Sequence, residues 1–482
     1  MRDQAGDLMT KGLASPGFEL VTSPEWVDEI LLRGADDDVC LYSGGPVDRS
    51  ALRRMVADRQ ERLTGAGLRA GGSLALRLPP SVAYVANLLA GWRIGAQVSL
   101  LDHRLTAFEV DAALGRLAPQ VVVEPGRITS SPLSAFAEVE ETVTARAGRP
   151  AATPHAVIQF SSGSTGPSKV IGRTAADLIA EVERYTRIDG VPLPGERIVV
   201  LASMVHVLGL VGALLYGLHA GVQIRPPERL TGDSVLDAVA AEATPATVLG
   251  VPFHIGLLTS VVDPPSLPQL KRMTTGGEAV PAATATAFTD KYGVPLGNMW
   301  GMTEVGVIAT DLFGEHRPAL TPAPGLAVVE RDGELLVSLP RSPYVGLSDP
   351  ERWADGWLRT RDAGTVDPDT GLVTVKGRLD SQVSVGGLKV DLTEVEATLA
   401  ELPGVIAAVV LHDDVITAYA QLDAPATAAT VQAGLAERLA AYKRPRRVHV
   451  LDAMPRTTTG KLVRDRSVLR EVAGAAGNGV PR

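Results

Sequence analysis

The stretch AVIQFSSGSTGPSK (156–169) passes from an apolar strand directly into a loop of small and hydroxylated residues. Glycine lets a backbone approach a ligand closely, and the amide groups of such a turn bind phosphate oxygens. It is not a Walker A loop, because Ser168 stands where that motif requires glycine. Taken alone, a loop of this composition is more often a plain linker. The candidate phosphate-binding residues are Ser161, Ser162, Gly163, Ser164, Thr165, Gly166 and Lys169.

On both sides of this loop, strand patterns alternate with helix patterns. The sequence predicts helices at 50–63, 81–96 and 106–117, and strands at 73–78, 97–101, 120–125, 156–160 and 246–252. Strands that alternate with helices indicate a parallel sheet covered on both faces. The predicted fold class is therefore α/β, with doubly wound subdomains in the first part of the chain.

The pattern changes after about residue 325, where short alternating segments predict antiparallel hairpins and hence a β-rich subdomain. Beyond Asp380 the sequence predicts a compact α+β unit, with helices at 391–402 and near 427–441 and strands at 405–412 and 415–422. Asp391 and Glu394 have the spacing of a helix capping box. We therefore predict two domains, 1–379 and 380–482.

One uncharged stretch, 198–224, is long enough to cross a bilayer. It divides into a strand pattern at 198–203, a helix pattern at 206–221 and a second strand pattern at 222–224. A strand, a buried helix and a strand suit a doubly wound core better than a membrane span. No membrane span is therefore predicted.

The composition excludes several classes of protein. The 482 residues include 46 Lys and Arg against 55 Asp and Glu, a formal charge of −9, whereas a nonspecific nucleic-acid surface is basic. No nucleic-acid partner is expected. Cys40 is the single cysteine, so neither an internal disulfide nor a Cys-rich zinc site can form, and a cytoplasmic location is expected.

Further motifs follow the 160–169 loop in the order GGEAV (276–280), NMWGMTEVG (298–306), RTRDAG (359–364), KGRLDSQVSVGGLKV (376–390) and PRTTTGKLVR (455–464). The earlier AGWRIGAQVSLLDHRLTAFEV (90–110) is similar to a GxxxAGAxxxPLxPxxTxxE segment. With these motifs the chain resembles the adenylate-forming superfamily of acyl- and aryl-CoA synthetases, luciferases and peptide-synthetase adenylation domains. The resemblance covers about residues 50 to 470. It implies that 1–379 binds ATP and the acyl group and that 380–482 is a mobile catalytic cap.

The resemblance implies a reaction in two steps. A carboxylate attacks the α-phosphate of ATP, which gives acyl-AMP and pyrophosphate, and a thiol then displaces AMP to form a thioester. Attack of an anion on a polyanion needs charge neutralisation rather than a general base. By resemblance, the loop at 161–169 wraps the phosphates, Thr303 contacts a phosphate oxygen, Glu304 helps to hold Mg²⁺, and Lys461 bridges the carboxylate and the α-phosphate.

The resemblance also assigns residues to the nucleoside, the hinge and the thiol. Asp362 binds the ribose hydroxyls with Arg378 nearby, and Trp300 stands where the family usually has a Tyr that stacks on adenine. Asp380 is the expected hinge between the domains. Gly277, Glu278, Ala279, Asn298 and Met299 frame the base, and Gly386 and Gly387 present the thiol channel. The basic run Lys443, Arg444, Arg446 and Arg447 either meets CoA phosphates or forms a solvated charged face.

The resemblance places the acyl pocket at His206, Val207, Gly276, Gly301 and Met302. A hydrogen-bonded core histidine is the alternative for His206. The segment 202–215 has no acidic residue, so a substrate ammonium buried there would be unpaired and costly. We expect a fatty, aryl or terpenoid acid without an α-amine, and a β-amino acid held from elsewhere in the pocket is an alternative.

Three functions agree with these motifs. The ending YKRPRRV…PRTTTGK (442–461) resembles acyl-CoA synthetases more than peptide synthetases, so CoA is the preferred thiol. A stand-alone enzyme that loads a carrier-protein phosphopantetheine is the second reading, and a catalytically idle nucleotide-binding protein is the third. Arg361, Ser384 and Gly386 depart from the usual family residues. The sequence leaves both a monomer and a homodimer open.

Overall fold

The computed structural model describes residues 24–128, 134–137, 139–160, 169–277, 280, 282–346, 349–455 and 462–477. Two sheets with their helices form the large N-terminal domain, and a three-stranded sheet with a separate hairpin forms the C-terminal domain. The predicted α/β fold class, with a β-rich subdomain and a small α+β cap, is confirmed.

The described helices follow the predicted pattern closely. The helix predicted at 206–221 runs without a break from Val207 to Ala220 through a π-helical segment at Leu210–Leu215, and a second π-helical segment lies at Val27–Leu31. The α-helices are α1 Arg49–Gly65, α2 Val82–Ile94, α3 Ala107–Leu117, α4 Ala175–Tyr185, α5 Val207–Gly209, α6 Tyr216–Ala220, α7 Gly232–Ala240, α8 Pro252–Thr259, α9 Ala282–Tyr292, α10 Leu392–Ala400, α11 Ala428–Arg438 and α12 Arg466–Gly477.

From Leu296 to Asp391 the described strands follow one another without an intervening helix, whereas helices separate most of the strands elsewhere. The strands are β1 Val39–Tyr42, β2 Pro46–Asp48, β3 Ser73–Leu76, β4 Gln97–Leu100, β5 Val121–Ile128, β6 Val139–Ala145, β7 Val157–Phe160, β8 Val170–Arg173, β9 Arg197–Val200, β10 Gln223–Arg225, β11 Ala246–Gly250, β12 Leu270–Gly276, β13 Leu296–Met302, β14 Gly306–Asp311, β15 Ala319–Pro322, β16 Val328–Arg331, β17 Glu334–Ser338, β18 Trp353–Ala354, β19 Trp357–Val366, β20 Val373–Arg378, β21 Gln382–Val385, β22 Leu388–Asp391, β23 Val405–His412, β24 Ile416–Leu422 and β25 Arg447–Leu451.

The first sheet has the strand order β6-β5-β3-β4-β7-β8. Its inner strands are parallel, and β6 and β8 add to the two edges in the antiparallel sense. Helix α2 is buried along nearly its whole length because it contacts β3, β4 and α1. Trp92 on this helix is among the largest fully buried side chains and anchors the main core.

The second sheet joins the other α/β subdomain to the β-rich subdomain. Strands β1, β10, β9, β11, β12 and β13 are parallel neighbours, and β14, β15, β20, β19, β17 and β16 continue the same sheet with antiparallel pairing. The predicted hairpins after residue 325 are therefore not a separate layer. They extend the β13 edge of a doubly wound sheet.

The C-terminal domain packs α10 and α11 on the β23-β24-β25 sheet around Val395, Leu399 and Leu435. The predicted capping box of α10 is wrong. Asp391 accepts a hydrogen bond from the amide of Thr393, while Glu394 turns away to Lys443. Across the described part of the chain, no helix combines the length and apolar character that a membrane crossing requires.

Candidate active site

The carboxyl ends of parallel strands from both sheets open onto one cavity of about 1280 Å³. Residues at or just beyond the ends of β4, β7, β9, β11 and β12 line it, which is the edge where open α/β sheets bind ligands. The β21–β22 hairpin of the C-terminal domain lines the same cavity. Its size exceeds the usual range for a single small-molecule pocket.

Asp362 lies on the wall of this cavity, where two side chains hold it. Trp300 Nε1 donates to Asp362 Oδ2 at 3.0 Å, and Arg378 Nη1 donates to Oδ1 at 3.1 Å. Asp362 and Arg378 are register partners on β19 and β20. Burial raises the pKa of Asp362, although the Arg378 charge and the Trp300 hydrogen bond oppose that rise. The structure thus brings together three residues that were predicted for nucleoside recognition.

Asn298 and Met299 precede Trp300 on β13, and both line the cavity. Asn298 Oδ1 is buried and has no hydrogen-bond partner in the part of the chain that the structure describes. A buried acceptor without a partner is costly unless a ligand donor satisfies it. Gly277 lies beyond the end of β12 on the same cavity, whereas Glu278 and Ala279 lie outside the described residues.

A row of buried charges runs from this group towards Glu304. Arg378 Nε donates to Asp380 Oδ1 at 2.9 Å, so one guanidinium binds both Asp362 and the predicted hinge residue. Arg352 Nη1 lies 3.9 Å from Asp380 Oδ2, and Arg352 Nη2 lies 3.9 Å from Glu304 Oε1. Alternating signs let these charges stay buried, since each has an opposite charge beside it.

Glu304 was predicted to hold Mg²⁺, and its surroundings fit that assignment. It is buried, and Tyr344 Oη donates to its Oε1 at 3.3 Å. The described residues contain no group of three or more His, Cys, Asp or Glu side chains that would hold a metal alone. Mg²⁺ commonly binds through one or two carboxylates plus substrate phosphates, so Glu304 fits an ion that arrives with ATP. Thr303 is half-buried beside it on the cavity.

The predicted phosphate contacts are only partly described. Lys169 Nζ lies 2.7 Å from Asp349 Oδ2 and 5.1 Å from the centre of the Tyr344 ring, which places this ammonium close to the tyrosine that binds Glu304. Ser161, Ser162, Gly163, Ser164, Thr165, Gly166 and Lys461 lie outside the described residues.

His206 stands at the start of α5, with nearly half of its side chain exposed on the cavity. Its Nε2 lies 3.6 Å from Asp102 Oδ2, and Arg104 donates to both oxygens of the same carboxylate. Burial would raise the pKa of Asp102, but the neighbouring His206 ring and the hydrogen bonds and charge of Arg104 hold it below its usual value. His206 is therefore a cavity residue beside a permanent negative charge, not a buried core histidine.

The other predicted acyl residues, Val207, Gly276, Gly301 and Met302, also line the cavity. A Cβ on Gly276 would lie 2.9 Å from the carbonyl oxygen of Met299, so only glycine fits there without a shift of the backbone. Tyr185 on α4 lines the same space, and its hydroxyl lies 3.0 Å from Met299 Sδ.

The β21–β22 hairpin brings Gly386 and Gly387 to the cavity. Both have left-handed backbone angles, with φ of +58° and +81°. A Cβ on Gly387 would lie 2.6 Å from Val251 Cγ1, so the absent side chain lets the hairpin approach the N-terminal domain. Lys389 Nζ donates to the carbonyl oxygen of Gly277 at 2.6 Å. The predicted thiol-channel residues thus lie against the part of the cavity wall formed by Val251 and Gly277.

Lys443 does not project freely into solvent. It is buried, and its Nζ lies 2.8 Å from both Glu109 and Glu394. Burial alone would lower the pKa of Lys443, but the Glu394 and Glu109 carboxylates hold it above its usual value. The solvated charged face, one of the two alternatives for this residue, is therefore wrong, and its other alternative as a CoA contact stays a prediction.

The family model described as AMP-binding enzyme matches residues 37–336, and the model for the C-terminal domain of AMP-binding enzymes matches 394–461. This chain belongs to the AMP-binding enzyme family. The predicted membership of the adenylate-forming superfamily is confirmed. In this AMP-binding enzyme both matched regions contribute to the wall of the cavity.

Two curated relatives are more than a quarter identical to this AMP-binding enzyme over the aligned residues. A p-hydroxybenzoic acid–AMP ligase from Mycobacterium tuberculosis is 28% identical over 471 residues, which cover 89% of this chain and 66% of the ligase. The chain therefore spans less than two thirds of that relative. A 4-chlorobenzoate–CoA ligase from an Arthrobacter species is 26% identical over 488 residues, which cover 90% of this chain and 91% of the ligase.

Solved structures share the fold of this AMP-binding enzyme. The o-succinylbenzoate CoA synthetase of Bacillus subtilis, as a double mutant bound with its product analogue, has a TM-score of 0.77 at 22% identity and covers 93% of this chain and 98% of its own. The same synthetase in complex with AMP has a TM-score of 0.63, with 92% and 98% covered. The overall arrangement is thus more similar to the complex with the product analogue.

Sequence reasoning missed several residues of this site. Asp102 and Arg352 are buried charges, and Tyr185 lines the cavity beside Met299. Asp102 lies within the motif at 90–110, and this motif is the sequence feature that could have identified it as a site residue. Arg352 and Tyr185 come from positions without a recognisable pattern, and only the folded chain places them beside Glu304 and Met299.

Proposed function

We propose that this AMP-binding enzyme activates a carboxylic acid with ATP and transfers the acyl group to CoA. The observation that carries the proposal is the single cavity that joins Asp362 and Trp300, the His206 region and the Gly386–Gly387 turn. A nucleotide, an acid and a thiol would meet there. Family membership supports the nucleotide, and the relatives named as acid–AMP and acid–CoA ligases support the acid and the thiol.

In the first step a carboxylate oxygen attacks the α-phosphorus of ATP, and the bond to the bridging oxygen of pyrophosphate breaks. Asp362 would bind the ribose hydroxyls, Trp300 would stack on adenine, and Asn298 Oδ1 would accept from the adenine amino group. Mg²⁺ held by Glu304 would supply positive charge to the phosphates. Lys461 would contribute an ammonium between the carboxylate and the α-phosphate, in a step that needs charge neutralisation.

In the second step the sulfur of the thiol attacks the acyl carbon, AMP leaves with the former carboxylate oxygen, and the thiol proton is lost to solvent or to a base. The Gly386–Gly387 turn would form one wall of the thiol channel. The greater similarity to the synthetase bound with its product analogue supports the view that this arrangement belongs to the second step. The proposed boundary between the two domains lies between residues 379 and 380. Asp380 would be the hinge about which the C-terminal domain moves between the arrangements for the first and the second step.

The acid is proposed to be an aryl carboxylic acid without an α-amine. The acyl side is lined by Tyr185, Val207 and Met299, among other apolar residues. Glu181 also reaches the cavity, but it pairs with Arg173 and accepts the amide of Val307, so it would not hold a substrate ammonium. The aryl acids in the names of both relatives support this class over fatty and terpenoid acids.

A second candidate is an acid–AMP ligase that delivers its product to a carrier-protein phosphopantetheine. The relative named as an acid–AMP ligase favours it. A catalytically idle protein is the least supported, since Asp362, Arg378 and Glu304 form an ordered, charge-paired group on the cavity.

The test is ATP–pyrophosphate exchange across a panel of benzoates, fatty acids, terpenoid acids and β-amino acids, followed by analysis of products with and without CoA. We expect exchange with a benzoate and an aryl-CoA product. Exchange without a CoA thioester would favour the carrier protein. No exchange with any acid would contradict the proposed function.

A further inference from the structure

The first turn of α3 makes a buried polar contact with the C-terminal domain. Glu109 Oε1 lies 2.8 Å from Lys443 Nζ, and Glu109 Oε2 accepts the amide of Ala440 at 2.9 Å. Lys443 Nζ also lies 2.8 Å from Glu394 Oε1 on α10. Thr106 Oγ1 donates to the carbonyl oxygen of Arg438 at 3.3 Å. We call Thr106, Glu109, Glu394 and Lys443 the interdomain clasp.

The clasp is more than a surface ion pair. Only 10% of the Glu109 side chain and 10% of the Lys443 side chain are exposed. Glu109 also accepts the amide of Thr106 at 2.9 Å, so the capping box of α3 fixes the same carboxylate that binds Lys443. Removing one partner of a buried ion pair leaves the other charge without compensation. Opening the clasp therefore requires the Glu109 carboxylate to be solvated again, while Lys443 keeps its second carboxylate partner, Glu394.

Other contacts connect the clasp to the cavity wall. Tyr442 directly precedes Lys443 in the chain, and the Arg104 guanidinium lies 5.6 Å from the centre of the Tyr442 ring. Arg104 also binds Asp102, whose Oδ2 is 3.6 Å from His206 Nε2. The clasp thus holds one end of the C-terminal domain, while the contact of Lys389 with Gly277 holds the hairpin at the nucleotide side.

The described C-terminal residues that line the cavity lie between Gln382 and Lys443. Met454 and Leu462, which flank the segment 456–461, pack instead in a cluster with Tyr419 and Leu469 on the C-terminal sheet. The arrangement that closes the clasp is therefore the one that brings the Gly386–Gly387 turn, and not the neighbours of Lys461, to the site.

We propose that Glu109 is a positioning residue for thiol transfer, because through Lys443 it holds the C-terminal domain with the Gly386–Gly387 turn at the cavity. The proposal rests on the proposed function for its chemistry. The proposal gives a function to residues of two sequence motifs. Thr106 and Glu109 lie near the end of the segment 90–110, and Lys443 lies in the segment 442–461. A contact that favours one domain arrangement raises its population, and this lowers the free energy needed to reach the arrangement in which thiol transfer takes place.

The test compares Glu109→Gln with Asp111→Asn, an exposed carboxylate on the same helix, in the full chain. For Glu109→Gln we expect unchanged ATP–pyrophosphate exchange and a kcat/KM for CoA that falls about tenfold or more, equivalent to about 1.4 kcal/mol. Hydrogen–deuterium exchange should become faster in peptides that cover 104–112 and 436–445. Asp111→Asn should leave all three measurements as in the parent.

A second variant separates a clasp from a phosphate contact. Lys443→Met should lower transfer to CoA and to free pantetheine by the same factor, because the domain arrangement serves both thiols. The proposal would be overturned if Lys443→Met slowed transfer to CoA but not to free pantetheine, and if Glu109→Gln did not slow transfer to CoA to the same extent. That result would mean that Lys443 binds a phosphate of CoA. Equal loss of both half-reactions in Glu109→Gln, or unchanged hydrogen exchange, would also overturn it. If the parent exchanges no pyrophosphate, the proposed function fails, while hydrogen exchange still decides whether Glu109 holds the domains together.

Discussion

Two buried groups of charges contact the cavity, and they differ in what they connect. The row from Asp362 through Arg378 and Asp380 lies on neighbouring strands of the β-rich subdomain and the start of the C-terminal domain. The interdomain clasp joins Glu109 to Lys443, which are 334 residues apart. The Asp362–Arg378 pair of the first group is fixed by strand register, whereas the second group exists only while the two domains are in this arrangement. Changes in the first should therefore affect nucleotide binding, and changes in the second should affect thiol transfer.

The largest expected effect concerns Lys461, for which the resemblance is the only basis. Lys461→Ala should lower ATP–pyrophosphate exchange by about 10³-fold, because an ammonium that neutralises the reacting anions is worth several kcal/mol. Thioester formation from supplied acyl-AMP should fall far less. Lys271→Ala, at an exposed ion pair with Glu196, is the control. Equal loss of both half-reactions would contradict a lysine that serves the first step alone.

Asp362 tests the nucleotide side. Asp362→Asn removes the carboxylate that accepts from Trp300 and Arg378, so kcat/KM for ATP should fall by about 10- to 100-fold, as expected for lost hydrogen bonds to a charged group. KM for CoA should change little. Asp369→Asn, at the exposed turn that follows the same strand, should leave both constants unchanged. An effect on CoA alone would show that Asp362 does not bind nucleotide.

Trp300 should give a smaller effect. Trp300→Phe keeps a ring that stacks on adenine but removes the indole N–H that binds Asp362, so KM for ATP should rise by about fivefold, consistent with one hydrogen bond of about 1 kcal/mol. Trp353→Phe is a matched control, because it removes an indole hydrogen bond of 2.8 Å to the carbonyl oxygen of Leu339. A similar rise of KM in both variants would mean that the effect is structural.

The smallest effect concerns Arg361, where the family usually has glycine. Its φ is +61°, a left-handed conformation that is strained by about 1 kcal/mol for a residue with a Cβ. Arg361→Gly should relieve this strain and raise the free energy of unfolding by about 0.5 to 1 kcal/mol. The entropy that glycine gains in the unfolded chain opposes this increase and keeps it small. Thermal denaturation would show this as a higher Tm. Thr365→Gly on the same strand should lower it, and a lower Tm in both would contradict the strain.

The contrast between the two charged groups also explains how much the sequence predicted. Strand and helix periodicity predicted β3, β4, β9 and α1 to within a few residues, because buried faces determine local hydrophobic patterns. The motifs predicted Asp362, Arg378 and Trp300 as one group, and the structure brings them together.

Other features depend on tertiary contacts that no local pattern records. The capping box expected at Asp391 and Glu394 does not form, because Lys443 competes for the Glu394 carboxylate. Arg352 precedes β18 and Glu304 follows β13, so the two side chains meet only when both strands join the second sheet. The pairing of Glu109 with Lys443 requires both domains, so spacing within either segment could not reveal it.

The central claim is that the carboxylate of the substrate attacks the α-phosphate of ATP. The most direct measurement is a reaction of an ¹⁸O-carboxylate-labelled benzoate with ATP, the thiol acceptor and this protein, with mass spectrometry of the nucleotide product. We predict AMP that carries one ¹⁸O atom, transferred when the thiol displaces the adenylate. Unlabelled AMP, or ADP with labelled phosphate, would contradict the account.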